Sequence, residues 1–325
     1  MNYKELNNCY RVINNWYKKK SKVLSIRTRP FNTFYIFSDI INKALNYEDK
    51  ILYIWCTDNK EYIKEKEEEF YNKVLKNSLN KRINFIHYSK VEEIDEEYDL
   101  VIYDDITLFS NIRTDRIRDL VEKLYWKSRK IIIYSFEYIF PIGEKYNLVY
   151  LLNPIPIIEP RILKTRINLE DDIPLAVFDY FKWFKENKKN VLIIVPSDNH
   201  LKRVYQHYYT ILKSYNMRLV QYYKNQKFKF IEDIIEGYNE SLFIATTNIG
   251  EYIKRIPKLN IVILFSDNEY FTYKKIVNIC AAVDNYSTGL SEVLMVCKEV
   301  SQDMDKAKDI TRKLNRVLWE KKLLK

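Results

Sequence analysis

Two adjacent carboxylates, Asp104 and Asp105, close the apolar run YDLVIYD (98–104) and its next residue. Paired acids at a strand end can hold Mg²⁺ for phosphate chemistry, and they can equally cap a turn or the next helix. No histidine or lysine constellation accompanies them to complete a metal-dependent nuclease site, and no G-x-S-x-G elbow is present for a hydrolase triad. Cys9, Cys56, Cys280 and Cys297 form no C-x-x-C pair, and His87, His200 and His207 lie far from them in sequence. A structural zinc site needs about four clustered ligands, so no metal is expected and the thiols read as reduced and mostly buried. The second kind of chemistry is charge. The formal net charge is +10 and the pI about 9.1, which favours an anionic partner, nucleic acid being the commonest. A composition rich in Lys, Asn, Ile and Tyr produces the same balance without any binding role. QYYKNQKFKF (221–230) interleaves aromatics with Lys224, Lys227 and Lys229, as single-strand binders do to combine stacking with phosphate attraction. Arg161, Lys164 and Arg166 form a second basic group, whereas KKKSK (18–22) reads as a solvated helix end.

The elements that must carry these residues alternate. Apolar runs at 22–26, 51–55, 83–88, 98–104 and 130–135 are nearly continuous in hydrophobicity, as strands buried on both faces of a parallel sheet are. Helical stretches lie between them, at 59–79 and 113–127. LLNPIPIIEPRILK (151–164) brings three prolines together and reads as an extended linker. The alternation then restarts, with strands expected at 190–196, 217–223, 241–247, 259–265 and 291–297. Helices are expected at 173–187, 199–215, 228–237, 271–284 and 301–323. The fold class is therefore α/β, with two doubly wound parallel-sheet lobes. The expected boundaries are 1–150, a linker over 151–170, and 171–325, with an inter-lobe cleft as a favoured ligand place. No apolar run reaches the roughly 18 residues that span a bilayer, and the first 20 residues lack a signal-peptide pattern, so the expected compartment is the cytoplasm.

The order of these segments resembles a superfamily 2 helicase with two RecA-like lobes. The second half is most similar to the late-competence DNA-uptake helicases (ComFA type), with the resemblance running over roughly residues 22 to 318. YDLVIYDDITLF (98–109) is similar to the family's Walker B strand, which implies that Asp104 would hold Mg²⁺ and Asp105 would position the attacking water. RTRPFNT (27–33) stands in the place of the family's phosphate loop. Thr28 and Thr33 fit that loop. Arg29 and Phe31 replace its glycines, and Asn32 replaces its lysine. Glycine reaches positive φ there and lets backbone N–H groups close on the phosphates, and no glycine precedes Gly143. NICAAVDN (278–285) stands in the place of the family's last ATPase motif. Asn278 replaces its glutamine, Ala282 and Asn285 its arginines, and Asp284 a glycine. An arginine of this kind contributes about 10³–10⁵-fold in rate. ATP with Mg²⁺ is therefore disfavoured, and no cofactor is expected.

The strand-gripping positions of the family are better kept. Thr57, Ser197, Thr246 and Thr247 follow strands where family members contact the phosphate backbone, although Ser and Thr at such places also serve as caps and turn formers. The four-cysteine zinc module that usually precedes the first lobe is not matched, since only Cys9 precedes residue 22. The resemblance thus implies a helicase-shaped protein that binds single-stranded nucleic acid without ATP-driven motion, in DNA uptake or processing. A protein-interaction scaffold and a weak residual ATP binder are the alternatives. The 28 tyrosines would suit an interface with a protein partner.

Overall fold

The computed structural model describes residues 3–31, 34–56, 67–68, 70, 72, 82–105, 112, 114–148, 155–283 and 291–321. The chain divides into two compact units, Met1–Pro154 and Ile155–Lys325.

The first unit runs α1 (Tyr3–Lys18), β1 (Val23–Arg27), α2 (Ser38–Asn46), β2 (Ile51–Trp55), β3 (Ile83–His87), β4 (Tyr98–Asp104), α3 (Thr114–Trp126), β5 (Ser128–Ser135) and β6 (Glu144–Asn147). Its described strands form one parallel sheet in the order β3-β2-β4-β5-β1-β6. Every residue of β2 is buried, which explains why ILYIW shows no polar alternation. The helix expected over 59–79 lies largely outside the described residues; within it, Phe70 is buried. β6 was not expected from sequence. EKYN has no apolar run because it is a half-exposed edge strand that pairs on one side only, with β1.

The second unit runs β7 (Arg161–Lys164), α4 (Leu175–Glu186), β8 (Asn190–Ile194), α5 (Asp198–Ser214), β9 (Arg218–Tyr222), α6 (Lys229–Glu236), β10 (Leu242–Thr246), β11 (Leu259–Leu264), α7 (Tyr273–Ala282), β12 (Val293–Cys297) and α8 (Gln302–Glu320). Its described strands form a second parallel sheet in the order β7-β12-β11-β8-β10-β9. α4 buries Val177, Phe178, Phe181 and Phe184 at helical spacing, and Phe181 meets Phe243 of β10 edge-on, ring centroids 5.4 Å apart. β7 corrects the linker reading. RILK begins just past Pro160, so each residue that joins β12 keeps its backbone donor, and an edge strand needs only one neighbour. Ser197, Thr272 and Ser301 cap α5, α7 and α8 by accepting from the N–H groups of His200, Lys275 and Met304.

Candidate nucleic-acid interface

All strands of a parallel sheet end on one edge, and ligands of such sheets bind outside the C-terminal strand ends. In the first unit that edge carries Thr28, Arg29, Asp104 and Asp105, all buried. The Thr28 N–H donates to the Ser135 carbonyl at 2.9 Å, and its hydroxyl accepts from the Tyr134 hydroxyl at 3.4 Å. Asp104, 1% exposed, accepts a 2.7 Å hydrogen bond from the buried Tyr53 hydroxyl. The Asp105 N–H donates to the Tyr134 carbonyl at 2.8 Å. Burial depresses the Arg29 guanidinium to about 10, because the charged form loses water. Phe31 takes φ +61°, the left-handed region where a glycine would sit without strain, and brings a benzyl group with it. Asn32, Thr33 and Thr57 lie outside the described residues.

Behind this edge lies a cluster of rings. Trp55 and Tyr53 of β2 are 4.5 Å apart, Phe37 packs on Tyr134 at 5.1 Å, Phe34 stacks on Phe70 at 5.4 Å, and Phe85 meets Tyr53 at 5.7 Å. The cluster was open to discovery in the sequence, since Tyr53 and Trp55 share one strand face and Phe85 is the β3 residue in register with Tyr53. A Mg²⁺-bound nucleotide fits these residues poorly. A metal-ligating carboxylate would have to give up the Tyr53 hydroxyl and its burial, and Phe31 brings a side chain to positive φ at this edge, where close approach of backbone N–H groups to a phosphate favours glycine. In the segment NICAAVDN (278–285), Asn278 and Ala282 are both buried on α7, and the Asn278 amide donates to the Lys274 carbonyl at 3.0 Å. Asp284 and Asn285 lie outside the described residues.

The corresponding edge of the second unit keeps more of its polar groups exposed. Ser197 is the N-cap of α5. Its Oγ lies 2.7 Å from His200 Nδ1, and the His200 ring sits on Phe265, centroids 4.6 Å apart. The hydroxyl therefore serves the helix end, the capping alternative that sequence left open. Thr246 requires a correction. It is 0% exposed, its hydroxyl donates to the Tyr222 carbonyl at 2.7 Å and accepts from the Asn248 N–H at 2.9 Å. It holds the turn after β10 and has no face for a phosphate. Thr247 is the surface member of the pair, with its hydroxyl donating to Asp198 at 2.7 Å. Thr246→Ala is accordingly expected to lose about 1–3 kcal/mol of stability, the cost of stranding the buried Tyr222 carbonyl and the part-buried Asn248 N–H. Thr247→Ala should melt within about 0.5 kcal/mol of the parent. Thermal unfolding of the two variants checks both, and equal losses would contradict this division of roles.

The basic candidates also divide. Arg161 is engaged, with Glu292 at 3.5 Å and the Tyr180 hydroxyl at 3.1 Å, and the Tyr180 bond leads in raising its pKa. Lys229 pairs with Asp233 at 2.9 Å along α6. Lys164, Arg166, Lys224 and Lys227 are exposed. The aromatic half of 221–230 is mostly internal. Tyr222 is buried, Phe228 packs on Tyr252 at 4.9 Å, and Phe230, 45% exposed, is the one open ring of that segment. The expected stacking platform is thus reduced to Phe230 beside Lys227 and Lys229, because the lobe needs the other rings for its core.

All four cysteines are free and buried, and burial pushes the Cys9 thiol up to about 12. Among the described residues no group of three or more His, Cys, Asp and Glu could hold a metal ion, and no helix is long and apolar enough to cross a membrane.

No family model and no curated protein matches the chain. Solved structures do. The DEAD-box helicase Mss116 bound to ssRNA and UDP-BeF aligns with a TM-score of 0.50 at 10% identity, over 94% of this chain and 77% of that one. The helicase domain of Pyrococcus furiosus Hef aligns at 0.49 and 9%, over 91% of this chain and 96% of that one. RecG bound to a three-way DNA junction aligns at 0.47 and 12%, over 95% of this chain but 44% of that one, so the chain spans less than half of RecG. At such identities the likeness is one of fold: two parallel-sheet lobes of the RecA-like kind found in superfamily 2 helicases.

Proposed function

We propose that this protein binds single-stranded nucleic acid along the C-terminal edge of its second sheet and does so without an ATP-driven motor cycle. The observation that carries this reading is the contrast between the two sheet edges. The second unit keeps Thr247, Lys164 and Arg166 at its surface, where hydroxyls and cations suit phosphate contacts. The first unit buries Asp104 under the Tyr53 hydroxyl and places Phe31 at left-handed φ. The helicase fold and the net charge of +10 support a nucleic-acid partner. The resemblance to ComFA-type motors motivates DNA uptake or processing as the setting, with DNA as the first strand to test.

The test joins two measurements on the purified protein. Fluorescence anisotropy with a labelled dT20 strand should report binding at 25 mM salt that weakens linearly in log–log form as salt rises. ATP turnover should stay at the buffer blank with and without that strand. A flat anisotropy titration at 25 mM salt would sink the binding reading, and strand-stimulated ATP turnover would sink the motorless one. A scaffold role is the second reading, favoured by exposed large apolar side chains such as Trp126 and Trp319, each 73% exposed, and Leu175, 71% exposed. A stable co-purifying protein together with no strand affinity would select it.

A further inference from the structure

In the second unit, a cavity of about 860 Å³ opens at the C-terminal ends of β7 and β12. Its lining includes Lys164 and Arg166 from the end of β7, Lys298 after β12, Asp267 after β11, and Glu299 and Ser301 from the loop that enters α8. Three cations meet two carboxylates there, so one positive charge is left over. The two acids are not equivalent. Asp267 accepts from the N–H groups of Lys298 and Glu299 at 3.1 and 3.3 Å, bracing the loop. Lys164, Arg166 and Lys298 are exposed, and among the described residues none of them makes an ion pair. Other surface cations of this unit do: Arg161 with Glu292, Arg203 with Glu170, Arg312 with Glu159. Three exposed cations that make no ion pair, with a net charge of +1 around one concavity, can meet an external anion, and the N-terminus of the 19-residue α8 adds its positive dipole end beside Ser301. The lining is charged and hydroxylated, which suits a phosphate backbone better than an apolar ligand.

We infer that this cavity is a phosphate-binding subsite, in which Lys164, Arg166 and Lys298 hold phosphodiester groups of a single strand. This rests on the nucleic-acid reading above and extends it. β12 lies three strands from β10 in the sheet order, so the cavity stands about 14 Å along the edge from Thr247 at about 4.8 Å per strand. A short stretch of single strand crosses that distance, and the path then follows the strand ends rather than stopping at Thr247. Neither Lys298 nor the cavity belongs to the positions that sequence had singled out.

The decisive comparison is between the parent chain, the triple variant Lys164→Gln/Arg166→Gln/Lys298→Gln, and a control triple, Lys213→Gln/Lys313→Gln/Lys321→Gln, all confirmed folded by thermal melts. Labelled dT20 is titrated from 25 to 200 mM salt. Each phosphate contact on a single strand contributes about 0.7 to the slope of log K against log salt, so the cavity triple should flatten the slope by about 2 and the control triple should leave it in place. Equal flattening by both triples, or none by the first, overturns the subsite while leaving strand binding intact. A calorimetric titration with tripolyphosphate separates the source of the anion. Binding that the cavity triple abolishes, with no dT20 affinity in the parent, keeps the oxyanion site and removes the strand from it. No response to either probe overturns both readings.

Discussion

Trp55→Ala is expected to destabilise the first unit by about 3–5 kcal/mol, among the largest effects of any single substitution in the chain. Trp55 is 0% exposed on β2, between β3 and β4, and its ring contacts those of Tyr53, Phe34 and Phe85 at 4.5, 6.1 and 6.1 Å. Truncation removes those contacts and leaves a cavity that a parallel sheet, held by neighbours on both sides, closes only in part. For a unit of this size the melting temperature should fall by roughly 6–20 °C. The same calorimetry bears on function. If the edge above this cluster held a magnesium nucleotide, Mg-ATP at 100 times its Kd would restore about 2.7 kcal/mol to either protein. We expect no shift in the melting of the parent or of Trp55→Ala on adding Mg-ATP. A concentration-dependent rise in Tm would contradict the reading of this edge as core.

Gly143→Ala should be comparably severe, on the order of 3–5 kcal/mol. Gly143 has φ +94°, where L side chains are strained, and an added Cβ would stand 2.5 Å from the Val23 carbonyl oxygen and 2.6 Å from the Val23 Cβ. Val23 opens β1, and the residues after Gly143 form β6, which pairs with β1 from Leu24 onward. Relief of the clash therefore moves the strand that leads into residues 27–33. Gly237→Ala is the control. Its φ is −86° and the nearest atom to a new Cβ lies at 3.3 Å, so urea unfolding should place it within about 1 kcal/mol of the parent. Equal losses for the two would show that the Gly143 turn is not the constraint described here.

Much of the architecture was legible in the residues. Continuous apolar runs such as ILYIW and NVLII announced buried parallel strands, because a strand covered on both faces has no reason to alternate. Two of the four edge strands, β6 and β7, escaped notice. EKYN and RILK are four-residue segments, half exposed and paired on one side, and EKYN has no apolar run while RILK lies just after the prolines. The candidate site was legible as residue types at strand ends, and there the reading divided. Asp104, Thr246 and Thr247 all sit at strand ends as expected, yet Asp104 and Thr246 are buried and bonded inward whereas Thr247 reaches the surface.

By itself, then, the sequence determined the fold class, the strand and helix order, the basic balance and the lack of a glycine before Gly143. These are properties of periodicity and composition, which local residue patterns encode. Tertiary structure alone decided which hydroxyls and cations remain available. Whether Thr246 faces a carbonyl or solvent depends on Tyr222 from another strand, and Asp267 braces the loop after β12 through the Lys298 and Glu299 N–H groups while the Lys298 side chain stays exposed, without an ion pair among the described residues. Polar availability is a property of neighbours brought together across the sheet, and it gathers Lys164, Arg166 and Lys298 around one cavity although more than 130 positions separate Lys298 from the other two in the chain.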